Sequence, residues 1–136
     1  MPRKNMNNDP IGDFIIRIKN AGMVHKSEIL VPFSKMKLAI AELLSAKGFV
    51  GEVSQKSKGS AKFLNVGLLY DESGSPKVSD VKRISKPGRR MYAKSKDIKR
   101  FRRGFGLSVF STPKGIMADM DAKKDNLGGE FLFNIW

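Results

Sequence analysis

Ser111, Thr112, Lys114 and Gly115 put two hydroxyls, an ammonium group and an open backbone position into one short run, with Pro113 between them. Hydroxyls donate to phosphate or to a ribose 2′-hydroxyl and accept from base amino groups. Glycine lets another molecule approach the backbone, and proline removes one backbone donor. This is chemistry for gripping a polyanion, although a plain β-turn has the same composition. A second grouping lies upstream, where Arg83, Lys86, Arg89 and Arg90 flank Pro87-Gly88 in the company of Ser85 and Tyr92. Pro-Gly fixes a tight turn that projects cations to one side. Guanidinium groups bind phosphates bidentately, and a tyrosine ring stacks on a sugar or base. A generic basic hairpin with a half-buried tyrosine is the competing reading. Glu130, just after Gly128-Gly129, is an acid in a cationic half of the chain. It is suited either to accept from a base amino group or to orient a neighbouring arginine.

Catalytic chemistry finds no such support. The single histidine, His25, lies in a polar loop, and the chain has no cysteine. Nucleophilic triads, thiolate chemistry and Cys/His metal sites are therefore not expected. Asp119 and Asp121 lack the spacing and glycine of a calcium loop, and are expected to cap a short helical turn. Gly104-Phe105-Gly106 resembles the start of a dinucleotide fingerprint, but Val109 stands where the third glycine belongs and a strand pattern follows. No Gly-x4-Gly-Lys-Ser/Thr run is present. The expectation is a protein that is not an enzyme and has no cofactor, no metal site and no small-molecule substrate.

The formal net charge is +13 over 136 residues. Such an excess attracts polyanions at long range, nucleic acid foremost, with anionic membranes and acidic proteins as competitors. The window 77–103 holds twelve Lys or Arg against Asp80 and Asp97, and so carries +10 of the total. Val78, Val81, Ile84, Met91, Ile98 and Phe101 are threaded through it, which predicts one face of a folded element and not a basic tail. No apolar run reaches the roughly 18–20 residues of a membrane span. Residues 1–5 have no hydrophobic stretch behind them, so a cytoplasmic location without a secretory leader is expected.

These groups must be positioned by a modest set of elements. Asp9-Pro10 predicts a helix start, Ile11, Phe14, Ile15 and Ile18 recur at helical spacing, and Ala21-Gly22 ends the run. Asp13, Arg17 and Asn20 fall on the opposite face. A strand is expected at 28–32, then a helix capped by Ser34 and stopped at Gly48. A strand begins at 49–53, a mobile loop is expected at 55–60, and another strand spans 63–70. The turn cluster after Tyr70 divides the chain into domains 1–72 and 73–136. The second half reads as strands near 78–84, 90–92, 106–110, 116–118 and 131–136, with one helical turn at 119–124. The fold class is α+β: two small α/β domains packed together, the N-terminal one α-β-α-β-β and the C-terminal one mostly β with a short helix.

Several segments together resemble the bacterial small-subunit ribosomal protein eight family. They are Asp9-Pro10-Ile11-Gly12-Asp13 with Arg17-Ile18-Lys19-Asn20-Ala21, then Pro32-Phe33-Ser34-Lys35-Met36-Lys37, and Arg83-Ile84-Ser85-Lys86-Pro87-Gly88 with Tyr92. Gly104-Phe105-Gly106, the run 111–119, Gly128-Gly129-Glu130 and Trp136 complete an ordered match over essentially the whole chain. The resemblance implies a two-domain protein that binds the central domain of 16S ribosomal RNA early in small-subunit assembly, beside neighbouring small-subunit proteins. It implies that the C-terminal domain makes the principal contact, on an irregular helix. The implied contact set is Ser111, Thr112, Lys114 and Gly115, with Tyr92 and Glu130 nearby and Arg83, Ser85, Lys86 and Arg89 in the basic hairpin. In the N-terminal domain it implies secondary contacts from Asp9, Arg17, Asn20, Ser34 and Lys37. Pro113 departs from the hydroxyl residue common at that place, and 94–103 aligns only loosely. The alternative is a non-ribosomal basic RNA- or DNA-binding module.

Overall fold

The computed structural model describes residues 9–136, the side chains of Arg103 and Gly104 excepted. The sequence reading of residues 1–5 lies outside that range. The chain forms two compact units: Phe14–Val81 with Trp136, and residues 9–13 with Lys82–Ile135. Helix α1 (Pro10–Met23) starts on the proline, whose fixed φ suits the first helical position. No described helix is long and apolar enough to cross a membrane.

Phe14, Ile15 and Ile18 of α1 are buried, three of the four positions in the stripe that the helical spacing predicts; Ile11 is half-buried, and Ala21, expected to end the helix, is buried within it. Strand β1 (Glu28–Pro32) alternates exposed and buried positions along its length. Helix α2 (Lys35–Ala46) buries Ile40, Ala41 and Leu44, and Ser34 caps it by accepting from the Lys37 N–H at 3.1 Å. Gly48, at φ +84°, turns the chain out of the helix in a conformation that L side chains rarely adopt. Strands β2 (Val50–Lys58) and β3 (Ala61–Leu68) complete an antiparallel sheet of order β1-β3-β2.

The expected loop at 55–60 is corrected here. Lys56 pairs with Phe63 and Lys58 with Ala61, so β2 runs on to a two-residue turn at Gly59-Ser60. Its polar side chains gave no apolar alternation to read, because both faces of this hairpin end are solvated. The backbone ladder alone carries it, with Gly59 at φ +65° closing the turn.

The second unit is built on strand β8 (Gly129–Ile135), which β4 (Val81–Arg83), β5 (Tyr92–Ala93) and β6 (Leu107–Thr112) all join. Strand β7 (Gly115–Ala118) pairs with β6, and helix α3 (Asp119–Lys124) follows directly. One face of this sheet packs Phe110 and Phe131, stacked at 4.6 Å, against Ile98 and Ala122. The basic window is not one regular face. It is a series of short pieces, including 3-10 turns at Ser95–Asp97 and Phe101–Gly104 that the sequence reading missed. Buried Ile98 pins the series and leaves most of its cations in solvent.

A candidate nucleic-acid interface on the second unit

Register brings the central residues together. Tyr92 lies opposite Glu130, and Glu130 lies opposite Ser111 on the next strand. Directly opposed residues of an antiparallel pair share a face, so the three form a row across β5, β8 and β6. Phe110 and Phe131, one position along, therefore point to the other face and into the core. Tyr92, 71% exposed, presents its ring to solvent.

Gly128 and Gly129 make this crossing possible. A Cβ on Gly128 would lie 2.6 Å from the Ala93 carbonyl oxygen, and one on Gly129 would fall onto the carbonyl oxygen of Ser111. The glycine pair is a close-packing requirement between three strands.

Glu130 is held from two sides. Ser85 Oγ donates to its Oε2 at 2.5 Å, and Arg90 Nη1 donates to the same oxygen at 3.1 Å. The Met91 N–H in turn donates to Ser85 Oγ at 3.1 Å, so that hydroxyl is engaged both as donor and as acceptor. Ser85 is fully buried, which makes it the support of Glu130 and keeps it out of reach of a ligand. Oε1 of Glu130 accepts no hydrogen bond among the described residues, and remains an oriented acceptor on a half-buried side chain.

The turn after β6 has a fixed shape. Thr112 Oγ1 donates to the Gly115 carbonyl at 2.8 Å and accepts from the Lys114 N–H at 3.1 Å. Thr112 is largely buried, so its hydroxyl builds the turn and does not face outward. Gly115 sits at φ +111° with open space where a Cβ would stand. Pro113 and Lys114 are exposed at the tip, while Ser111 is half-buried with no side-chain hydrogen bond among the described residues.

The basic hairpin forms around Pro87-Gly88. Lys86 and Arg89 exchange backbone hydrogen bonds at 3.0 and 2.9 Å, and both side chains are exposed. Arg83 is different. Its Nε donates to Asp9 Oδ2 at 3.0 Å, its Nη2 to Asp9 Oδ1 at 3.1 Å and its Nη1 to the Leu132 carbonyl at 2.6 Å. Every nitrogen of that guanidinium is occupied within the unit. Burial pushes the Asp9 carboxyl up, and the hydrogen bonds from Arg83 and from the Gly12 N–H act against it. The charges of Arg83 and Arg90 add to them, and the group lies below the ordinary aspartate value. Of the sequence-predicted residues in this unit, Asp9, Arg83, Ser85 and Thr112 thus serve the frame. Tyr92, Glu130, Ser111, Lys114, Lys86 and Arg89 are on or near its surface.

The first unit carries the remaining four. Arg17 and Asn20 are exposed on α1. Ser34 and Lys37 share the entry to α2, where Lys37 Nζ donates to the Pro32 carbonyl at 3.1 Å. No cluster of His, Cys, Asp or Glu able to hold a metal occurs among the described residues.

The model of the family described as Ribosomal protein S8 matches residues 9–136. The chain belongs to that family. It is 43% identical over 130 residues to the small ribosomal subunit protein uS8 of Chloroflexus aggregans, covering 95% of this chain and 98% of that protein. The protein of the same name from Afipia carboxidovorans is 44% identical over 129 residues, 94% of this chain and 97% of that one. That of Helicobacter pylori strain Shi470 is 40% identical over 131 residues, 96% of this chain and its own full length. Membership makes the chain a structural ribosomal protein and not an enzyme. Arg90 stands in the basic grouping but not in the implied contact set, and it is the arginine partner that the sequence suggests for Glu130. Its signal was available, since a lone acid amid cations calls for a partner and Arg90 stands in the hairpin that precedes Tyr92.

Proposed function

We propose that the chain binds an irregular helix in the central domain of 16S ribosomal RNA, as a structural constituent of the small ribosomal subunit and early in its assembly. It works in the cytoplasm within that subunit, beside neighbouring small-subunit proteins. One observation carries the reading: Tyr92, Glu130 and Ser111 stand side by side in register, with a cationic hairpin on one flank and a rigid turn on the other. A regular A-form helix hides its base edges in a deep groove, whereas bulged or unpaired bases expose edges and faces. The row offers a stacking ring, a fixed carboxylate acceptor and a hydroxyl for such bases. Lys86, Arg89 and Lys114 supply the salt-dependent attraction that positions the protein. In the first unit, Arg17, Asn20, Ser34 and Lys37 make secondary contacts.

The test is a pair of binding curves for an irregular hairpin and a perfect duplex of equal length, combined with footprinting on 16S ribosomal RNA. Tight binding to the irregular hairpin, with protection confined to one central-domain helix, is the expected result. Equal affinity for the two RNAs would leave only a general polyanion binder, the non-ribosomal alternative.

A further inference from the structure

The opposite face of the second unit's sheet holds a cavity of about 330 Å³ that the proposed interface does not use. Phe110 and Phe131 line it, and at its floor Ser108 Oγ donates to Asn134 Oδ1 at 2.6 Å. Ser108 and Asn134 are 3% and 9% exposed. Asn134 Nδ2 donates to no described residue and is not shielded from solvent, so the amide lines the cavity with its donors open to water. Lys99 and Arg100 line the same space and are exposed, with Asp97 beside them.

The cavity is preformed, because the segment roofing it is pinned at both ends. Ile98 is 1% exposed at one end. At the other, the Phe101 N–H donates to Asp119 Oδ2 at 3.0 Å. The Phe101 ring packs where Gly106 has no side chain, 2.5 Å from the position a Cβ would take. Lys99 and Arg100 span the gap between these anchors.

We propose that this cavity binds a nucleoside phosphate, base inward and phosphate at Lys99 and Arg100. The partly exposed rings of Phe131 and Phe101, a floor with both donors and acceptors, and a cationic rim together match that ligand. A lone phosphate makes no use of the phenyl rings. An apolar peptide side chain seals the Asn134 donors away from water without a partner, which is costly. The base comes either from an extruded nucleotide of bound RNA or from a free nucleotide. The proposal goes beyond the RNA contact above and stands without it, since Ser111 and Glu130 face the other way.

The experiment follows the Asn134 side-chain amide resonance of the full chain during titration. The probes are the four ribonucleoside 5′-monophosphates, the matching homopolymer RNA octamers, ribose 5-phosphate and orthophosphate. Saturable shifts with at least one monophosphate or octamer, and none with ribose 5-phosphate or orthophosphate, are expected. An octamer tighter than its monophosphate assigns the base to RNA, and equal affinity assigns it to a free nucleotide. Asn134→Leu should weaken binding about tenfold, the loss of roughly one hydrogen bond to a buried group. Its preference for the irregular hairpin over the perfect duplex should stay, which separates this site from the sheet-row interface. Should that variant fold poorly, Lys99→Ala with Arg100→Ala serves instead, and should weaken monophosphates but not the parent nucleosides. No saturable shift at Asn134 with any nucleotide or octamer, or a variant that binds as the parent does, overturns the proposal.

Discussion

The hairpin tip at Lys86–Arg89 and the Tyr92–Glu130–Ser111 row sit in the same unit and differ in how they are held. The tip is anchored by two backbone hydrogen bonds and its cations project into solvent. The row is locked by three strands, two glycines without room for a side chain, and the Ser85–Glu130–Arg90 network. Long flexible cations in water act through charge and tolerate many partner geometries. A row with fixed positions acts through shape and hydrogen-bond direction, and rejects partners that do not fit. In the proposed function the difference divides affinity and discrimination between different residues of one unit.

Four comparisons break or sharpen that contrast. Gly129→Val should have the largest effect, because the new side chain meets the Ser111 backbone between two paired strands. A loss of about 3 kcal/mol in urea denaturation is expected, and the preference for irregular RNA should vanish with the row. Unchanged stability would show that the strands have room to part. Next comes Lys86→Ala with Arg89→Ala, which removes charge without touching the row. Affinity for irregular and regular RNA should fall in parallel, and the slope of log affinity against log salt should flatten by roughly two contacts. A selective loss on the irregular RNA would move these cations into the discriminating set.

Ser111→Ala and Thr112→Val form the third comparison. The first should reduce affinity for the irregular hairpin about fivefold, leaving duplex binding and stability alone. The second should cost about 1 kcal/mol in thermal or urea unfolding, because Thr112 Oγ1 holds the turn from inside. Reversed outcomes would exchange the roles of the two hydroxyls. The smallest effect is expected for Asp9→Asn. The folded-state value of Asp9 is lowered, so its stabilising contribution is complete above the ordinary aspartate value and is lost as pH falls through the folded one. Denaturation measured between about pH 5 and pH 2 should therefore show a shallower acid loss in Asp9→Asn than in the parent. Parallel curves would mean that Arg83 does not favour the charged carboxylate.

The sequence by itself determined most of the elements and the chemical character of the molecule. Pro10, Ser34 and Gly48 mark helix ends through local backbone rules, and the apolar stripe of α1 and the alternation in β1 follow from their periods. The charge of 77–103 and the missing nucleophiles and thiols were equally local facts, and they pointed to a polyanion binder without catalysis. What only the tertiary structure decided was which polar groups face outward. Arg83 and Ser85 have the same side-chain chemistry as Arg89 and Ser111, yet they are turned inward by partners distant in the chain: Asp9 and Leu132 for Arg83, Glu130 for Ser85. A short segment does not encode such pairing, because register between strands and burial of a hydroxyl depend on residues tens of positions away. The 55–60 hairpin was missed for the related reason that backbone ladders leave no trace in a polar sequence. Ser108 and Asn134 read as ordinary strand positions until the sheet set them beside each other beneath a roof pinned at Ile98 and Phe101.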